Sequence, residues 1–299
     1  MYSSLISFLQ DDKIYYVENH SLKNENSLKI DTKVDISVYP DTTAQLVDIV
    51  GFSKRLGLKF ITVGNISNVI FRDAIYHGVV IHTTRINSIS IEGDVCSLAC
   101  GCNISSAIRK MAERGYGGLE ALAGIPGTVG GMICSNAGAF GKEISDFLLD
   151  ATVLDTDQER IITLSKEDIG FSYRNSMFYD NDRYLILSSR LLFEPTPQND
   201  IRERLLYFRE KRNSTQPHNP SLGSVFKRNR DIGAGYYIDR AGLKGMRVGG
   251  AMVSPKHAGF IVNVGDATSR DFLLLVGIVK AKVYMEFGIE LDTEIKIID

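Results

Sequence analysis

Apolar positions recur along this chain at two spacings, every second residue and every third to fourth, and the switches between them predict its elements. SLKIDTKVDISV (27–38) alternates as a strand until Pro40-Asp41 breaks it. Thr42 with Gln45 forms a capping box, and Leu46, Val47 and Val50 make a helical stripe that stops near Gly57. KFITV (59–63) reads as a buried strand opening into the loop GNISN (64–68). Strands follow at 78–84, 88–93 and 95–101, then a helix over 104–115. Residues 151–156, 160–164 and 183–195 are again strand-like. Asn199 caps a helix whose Ile201, Leu205 and Phe208 face one way. NSTQPHNPSLGS (213–224) reads as a loop, 235–245 as a short helix closed by glycine, and 259–264 as a strand. Thr268 to Phe287, capped by Thr268 and Asp271, is the longest helix, and 291–299 closes the chain as a strand. Strand and helix are mixed along the chain, with a domain boundary near 195–199. Neither an internal repeat nor a low-complexity segment is visible.

Charge and cysteine usage narrow the class. The net charge of −2 over 299 residues gives no global field toward nucleic acid or an anionic membrane. Residues 199–256, however, hold twelve Lys/Arg against five Asp/Glu, a local excess of seven that suits an anionic small ligand. The arginines at 202–212 are better read as a solvated helix face. The opening MYSSLISFLQDDK lacks a basic n-region, and no uncharged apolar run approaches a membrane span, so the expected location is cytoplasmic. Cys96, Cys100, Cys102 and Cys134 are expected to be small buried hydrophobes rather than zinc ligands, since no histidine lies near.

Six glycines fall within ALAGIPGTVGGMICSNAGAFG (121–141), in a chain with 27 in all. Bare backbone lets N–H groups converge on an anion. Two loops invite a phosphate. One is Gly64-Asn65-Ile66-Ser67-Asn68; the other runs through Ala123, Gly124, Ile125, Pro126, Gly127, Thr128, Gly130 and Gly131. Asn136-Ala137-Gly138 follows shortly after. Neither loop matches GxxxxGK[ST] or GxGxxG, which disfavours a P-loop or Rossmann site.

Together these runs identify a resemblance. VGNISN (63–68), GLEALAGIPGTVGG (118–131), NAGAFG (136–141), GFSYRNS (170–176), GSVFK (223–227), AGLKGMRVGGAMVSPKHAGF (241–260) and FGIELDTEIKII (287–298) occur in order. The chain resembles the bacterial UDP-N-acetylenolpyruvoylglucosamine reductases, in the shorter, type II form, from residue 27 to its end. The resemblance implies a two-lobed FAD-binding domain of the PCMH/vanillyl-alcohol-oxidase-like kind, with lobes 1–84 and 85–197, plus a C-terminal α+β substrate-binding domain, 198–299. It implies non-covalent FAD held by residues 64–68, 123–128, 130–131 and 136–138, with NADPH as co-substrate and no metal. The substrate implied is a UDP-sugar bearing an enolpyruvyl ether, reduced on the way to peptidoglycan.

Residue by residue, Ser224 of GSVFK matches the family's proton donor and Arg174 of YRNS the arginine that holds the enolate's carboxylate. Glu294 of LDTEIKII matches the family glutamate. Beside an enolate an ionised carboxylate would repel, so Glu294 is expected to carry or share a proton during turnover. Tyr173 is a candidate for holding the substrate, and Lys227, Arg228, Lys244 and Lys256 are candidates for its diphosphate or for the NADPH phosphates; no spacing separates the four. His257 is expected to be structural, while Tyr236 and Tyr237 suit either uracil or the core.

The chain departs from the family at three points. Ile66 stands where a glycine is usual, Phe140 where tyrosine is, and Asn229 where proline is. If position 66 needs φ > 0, a β-branched residue there is strained by about 1–3 kcal/mol. Ile66→Gly is then expected to tighten FAD binding, or to leave it unchanged where the loop has adapted. Ile66 is also the one feature favouring a rival reading, a protein of the same fold with weakened flavin binding and turnover.

Overall fold

The computed structural model describes residues 2–299 and divides them into two compact units assembled from interleaved segments. The first comprises residues up to Glu18, Ile36–Gly64 and Gly78–Glu210; the second comprises Asn19–Asp35, Asn65–His77 and Lys211–Asp299. The segmentation expected from sequence follows chain order, whereas these units exchange segments four times before residue 78.

The first unit is built on a five-stranded antiparallel sheet. Its order is Arg160–Ser165, Leu148–Asp155, Tyr184–Leu192, Val95–Ala99, Ile89–Glu92. Alternation along these strands turns Ala151, Val153, Leu187 and Leu191 inward, where they meet Ile104, Ala107, Ile108 and Met111 of the helix Ile104–Ala112 in one core. Asn103 caps that helix, its side chain accepting the Ser105 N–H. Phe60–Val63 pairs in parallel with Ile75–His82, and Thr42 caps Thr43–Arg55 by accepting the Gln45 N–H. The N-terminal helix Ser3–Asp11 buries Leu5 and Leu9 in the same core, with Phe8 stacked on Phe52 at 4.5 Å. Cys96, Cys100 and Cys102 are buried as small core residues, as expected from sequence. Burial raises the Cys100 thiol to about 12 and the other two to about 11, so all three stay protonated.

The second unit has a four-stranded antiparallel sheet in the order Ser221–Ser224, Phe260–Asn263, Ala251–Val253, Arg247–Val248. The helix Ser269–Phe287 buries Phe272, Leu275, Val276, Val279 and Val283, a stripe worth about 1.5–3 kcal/mol per side chain. Its capping box, Thr268 with Asp271, and its end at Phe287 agree with the sequence, and a left-handed Gly288 terminates it. Val69–Phe71 pairs in parallel with Lys296–Ile298.

Several expectations need correction. The strand anticipated over 27–38 is confined to Lys33–Tyr39, because Lys29 lies at φ 58 and sends Leu28 and Ile30 into the second core. The loop anticipated over 213–224 is helical to Thr215 and ends in the strand Ser221–Ser224. The terminal strand shrinks to Lys296–Ile298, and the short helix to Ala234–Arg240. The strands Tyr15–Ser21 and Val69–Phe71 and the helix Ser3–Asp11 were not anticipated at all. No helix among the described residues is long and apolar enough to cross a membrane, and none of their His, Cys, Asp and Glu side chains cluster as a metal site.

Candidate active site

The glycines of the second loop are there for packing and for one special backbone angle. Thr128 caps the helix Val129–Cys134, its Oγ1 accepting the Gly131 N–H at 3.4 Å. The Val129 and Gly130 N–H groups donate to the carbonyls of Cys102 and Cys100 at 2.8 and 2.9 Å, so the loop is zipped onto the cysteine segment. A Cβ on Gly130 would lie 3.1 Å from Cys100 Cβ. On Gly64 it would lie 2.2 Å from Thr128 Oγ1, so the first residue of one glycine loop abuts the cap of the other. Gly124 has φ 83, which glycine adopts without cost, and its N–H donates to Ser105 Oγ at 2.9 Å. Gly124, Pro126 and Gly131 are exposed, and neither loop carries an acidic residue. Among the described residues no acceptor meets the N–H of buried Gly127 or that of Ser67. In the second loop, bare exposed backbone, the orphaned Gly127 donor and the lack of carboxylates fit a diphosphate, the central part of FAD.

Arg174 also sits in the first unit. Ser172 and Asn175 exchange backbone hydrogen bonds of 3.1 Å, leaving Tyr173 and Arg174 as the tip of a tight turn with Arg174 at φ 53. Its Nη2 donates to the Gly138 carbonyl at 2.8 Å and its Nη1 to the Asn136 carbonyl at 3.4 Å; Glu143 Oε1 lies 3.5 Å from Nη1. The guanidinium lies 5.0 Å from the Tyr173 ring centre. Asn136 is buried, and its amide donates to Glu143 Oε2 at 2.8 Å and to the Ser172 carbonyl at 3.0 Å. Its Oδ1 accepts the Ser145 N–H, and the Ala137 carbonyl accepts that of Ile144. The carbonyls of Asn136 and Gly138 therefore converge on Arg174, while that of Ala137 is taken up by Ile144. Sequence reasoning missed Glu143, which joins Asn136 to Arg174. Its signal was an acidic residue closing the run NAGAFGKE, seven positions past Asn136.

The remaining candidates belong to the second unit. Gly223 has φ 76 and shifts the register between Ser221 and Ser224, bringing Ser224 opposite Phe260. One residue on, the Val225 carbonyl accepts the Glu294 N–H at 2.8 Å, and the Lys227 N–H donates to the Asp292 carbonyl at 2.8 Å. Ser224, Lys227 and Glu294 thus lie on two hydrogen-bonded segments. The first glycine loop is fastened to the same place: Asn68 Nδ2 donates to the Glu294 carbonyl at 3.0 Å and the Lys296 N–H to the Asn68 carbonyl at 2.9 Å. Arg228 is exposed beside them. Lys244 is paired with Asp239 at 2.6 Å, and Lys256 Nζ rests on the Asn213 carbonyl. His257 Nδ1 accepts the Gly259 N–H at 3.1 Å and its ring packs edge-on against Phe260, a structural role; burial lowers its pKa. Tyr237 packs on Phe287, whereas Tyr236 is half exposed.

Ile66 has φ 45, so the condition for strain set out from sequence is met. Its side chain is only 3% exposed and lines an apolar recess with Leu22, Leu28, Ile30, Ile70 and Phe71. The strain of about 1–3 kcal/mol is offset by about 1.5–3 kcal/mol of burial.

Comparison with known proteins follows the same outline. Residues 34–165 match the FAD binding domain model, and residues 216–298 match the C-terminal domain model of UDP-N-acetylenolpyruvoylglucosamine reductase. The reductase of Caldicellulosiruptor bescii is 40% identical over 294 residues, covering 97% of this chain and 93% of its own. Reductase 2 of Bacillus cereus is 37% identical over 282 residues, covering 94% and 92%. The crystal structure of the Thermus caldophilus reductase (MurB) superposes with a TM-score of 0.80 at 28% identity, covering 96% of this chain and 99% of that one.

Proposed function

Because the chain belongs to the UDP-N-acetylenolpyruvoylglucosamine reductase family, we propose that NADPH is its reductant and that Arg174, Ser224 and Glu294 handle the charge and the proton. The activity itself is FAD-dependent reduction of the enolpyruvyl ether of a UDP-sugar in peptidoglycan precursor synthesis. In this reading residues 1–84 and 85–197 supply the flavin lobes and 198–299 the UDP-sugar side. FAD held there would supply hydride transfer from the nicotinamide to the enolpyruvyl methylene carbon.

The protein's part begins with the carboxylate of the enolpyruvyl group. Arg174 stays charged and binds carboxylate in a forked geometry, which fixes the double bond and takes up the negative charge that reduction places beside it. The carbonyls of Asn136 and Gly138 and the carboxylate of Glu143 hold the guanidinium in orientation. Ser224 Oγ–H then delivers a proton to the carbon bearing the ether oxygen. A hydroxyl is a weak acid, but the enolate is a strong base, and positioned proton transfer contributes about 10²–10⁴ in rate. Glu294 shares a proton with this centre, so that no bare carboxylate opposes the enolate. Lys227 and Arg228, close in sequence to Ser224, are the first candidates for the diphosphate; Tyr173, Lys244 and Lys256 complete the proposed substrate set.

One observation carries this reading: the Glu294 N–H is bonded to Val225, the neighbour of Ser224, and Asn68 bonds the same residue to the first glycine loop. The test uses the two half-reactions. Ser224→Ala is expected to leave bleaching of the bound flavin by NADPH intact and to slow its reoxidation by the enolpyruvyl sugar about 10²–10⁴-fold. Loss of both halves assigns Ser224 a structural role and overturns the proposal. Wild-type protein whose bound flavin NADPH does not bleach overturns the choice of reductant.

A further inference from the structure

We propose that Ile66 is an apolar anchor that holds the backbone of residues 65–68 in its FAD-receiving shape before the cofactor arrives; this rests on reading that loop as part of the FAD site. A β-branched residue at φ 45 persists only where its surroundings over-determine it. Here they do. The side chain is 3% exposed and lines one recess with Leu22, Leu28, Ile30, Ile70 and Phe71. Buried Asn26 braces the receiving segment, donating to the Leu22 and Ile30 carbonyls at 2.7 and 2.8 Å and accepting the Ile30 N–H at 3.2 Å. The Ile66 carbonyl accepts the Ser27 N–H at 3.2 Å, which fixes the peptide on the far side of the side chain. With Ile66 locked inward, Asn65 and Ser67 on either side remain half exposed. The lock also reaches Glu294, because Asn68, two residues on, donates to its carbonyl.

A glycine at position 66 makes the left-handed backbone accessible without making it the only choice. Isoleucine makes it obligatory through its side chain. The departure from the family's glycine is thus a different way of ordering the loop, and it removes the one feature that favoured a flavin-weak relative.

The full chain, stripped of flavin, tests this by limited proteolysis within residues 64–68 and by FAD titration. Four proteins are compared: wild type, Ile66→Val, Ile66→Gly and Ile66→Asn. Asparagine tolerates the left-handed region but has no apolar side chain to seat, so it separates backbone permission from anchoring. Wild type and Ile66→Val are expected to resist cleavage and to bind FAD alike. Ile66→Gly and Ile66→Asn are expected to be cut about tenfold faster and to bind FAD about tenfold more weakly, which for glycine reverses the expectation from sequence because the side chain is buried. Wild-type protection in both of these variants overturns the anchor. Fast cleavage with unchanged FAD affinity overturns the proposal through its premise, because the loop is then ordered by Ile66 but is not a flavin contact. Should Ile66→Gly fail to fold, Ile66→Asn and Ile66→Val decide between the same outcomes.

Discussion

The two glycine loops reach a similar end by opposite means. Residues 124–131 are shaped by what is missing: no Cβ at Gly130, where Cys100 lies at contact distance, and none at Gly124, where φ is 83. Residues 64–68 begin in that manner, with Gly64 pressed on Thr128, and continue in the other, with a buried isoleucine at φ 45. Backbone can be bared by removing side chains or by seating one side chain firmly inward, although most N–H groups of residues 124–131 bond within the protein. The first device needs close packing against the loop; the second needs an apolar receptor behind it, which the 22–30 segment supplies.

Substitutions separate the two devices. Gly64→Ala places a methyl 2.2 Å from Thr128 Oγ1 and is expected to have the largest effect. A loss of about 1–3 kcal/mol of stability should appear in denaturant melts, together with loss of bound flavin during purification. Adding Thr128→Ala removes the nearest clashing atoms and should restore part of both; no restoration would mean that Gly64 is needed for its conformation rather than its size. Asn68→Ala removes the bond to the Glu294 carbonyl and is expected to cost about 1 kcal/mol, with turnover falling more than FAD affinity. The reverse pattern would assign Asn68 to the flavin rather than to Glu294. Gly131→Ala meets only an ordinary 3.5 Å contact and lies in a helix. It should raise flavin-free stability by a few tenths up to about 1 kcal/mol while weakening FAD. A variant that is stabilised and binds FAD as well as wild type would show that the exposed face of Gly131 is not where the diphosphate lies.

Much of this was legible in the sequence because it is local. The cap at Thr42, the capping box at Thr268, the stripe of Ser269–Phe287 and the alternation of Tyr184–Leu192 each depend on residues a few positions apart; at Thr42 the sequence-predicted box is only half made, because Gln45 Oε1 accepts the Asp41 N–H instead. Ser224, Arg174 and Glu294 stood out through the motifs that contain them. The strand Val69–Phe71 was not legible, since its partner lies at Lys296–Ile298, more than two hundred residues away. Glu143 escaped because its importance lies in touching Asn136 and Arg174, and nothing in its local sequence states that contact.

Ile66 draws the line most clearly. From sequence alone it is a misfit in a glycine position, and its cost follows from the Cβ and the left-handed angle. The sign of its net effect was decided by Leu22, Leu28, Ile30, Ile70 and Phe71, which come from two separate stretches of chain and form a receptor only when folded. Composition, spacing and capping determined the elements, the glycine loops and the candidate chemistry, because these depend on neighbours along the backbone. The tertiary structure decided which side chains face one another and whether a strained residue is compensated, because burial is a property of what surrounds a residue in space.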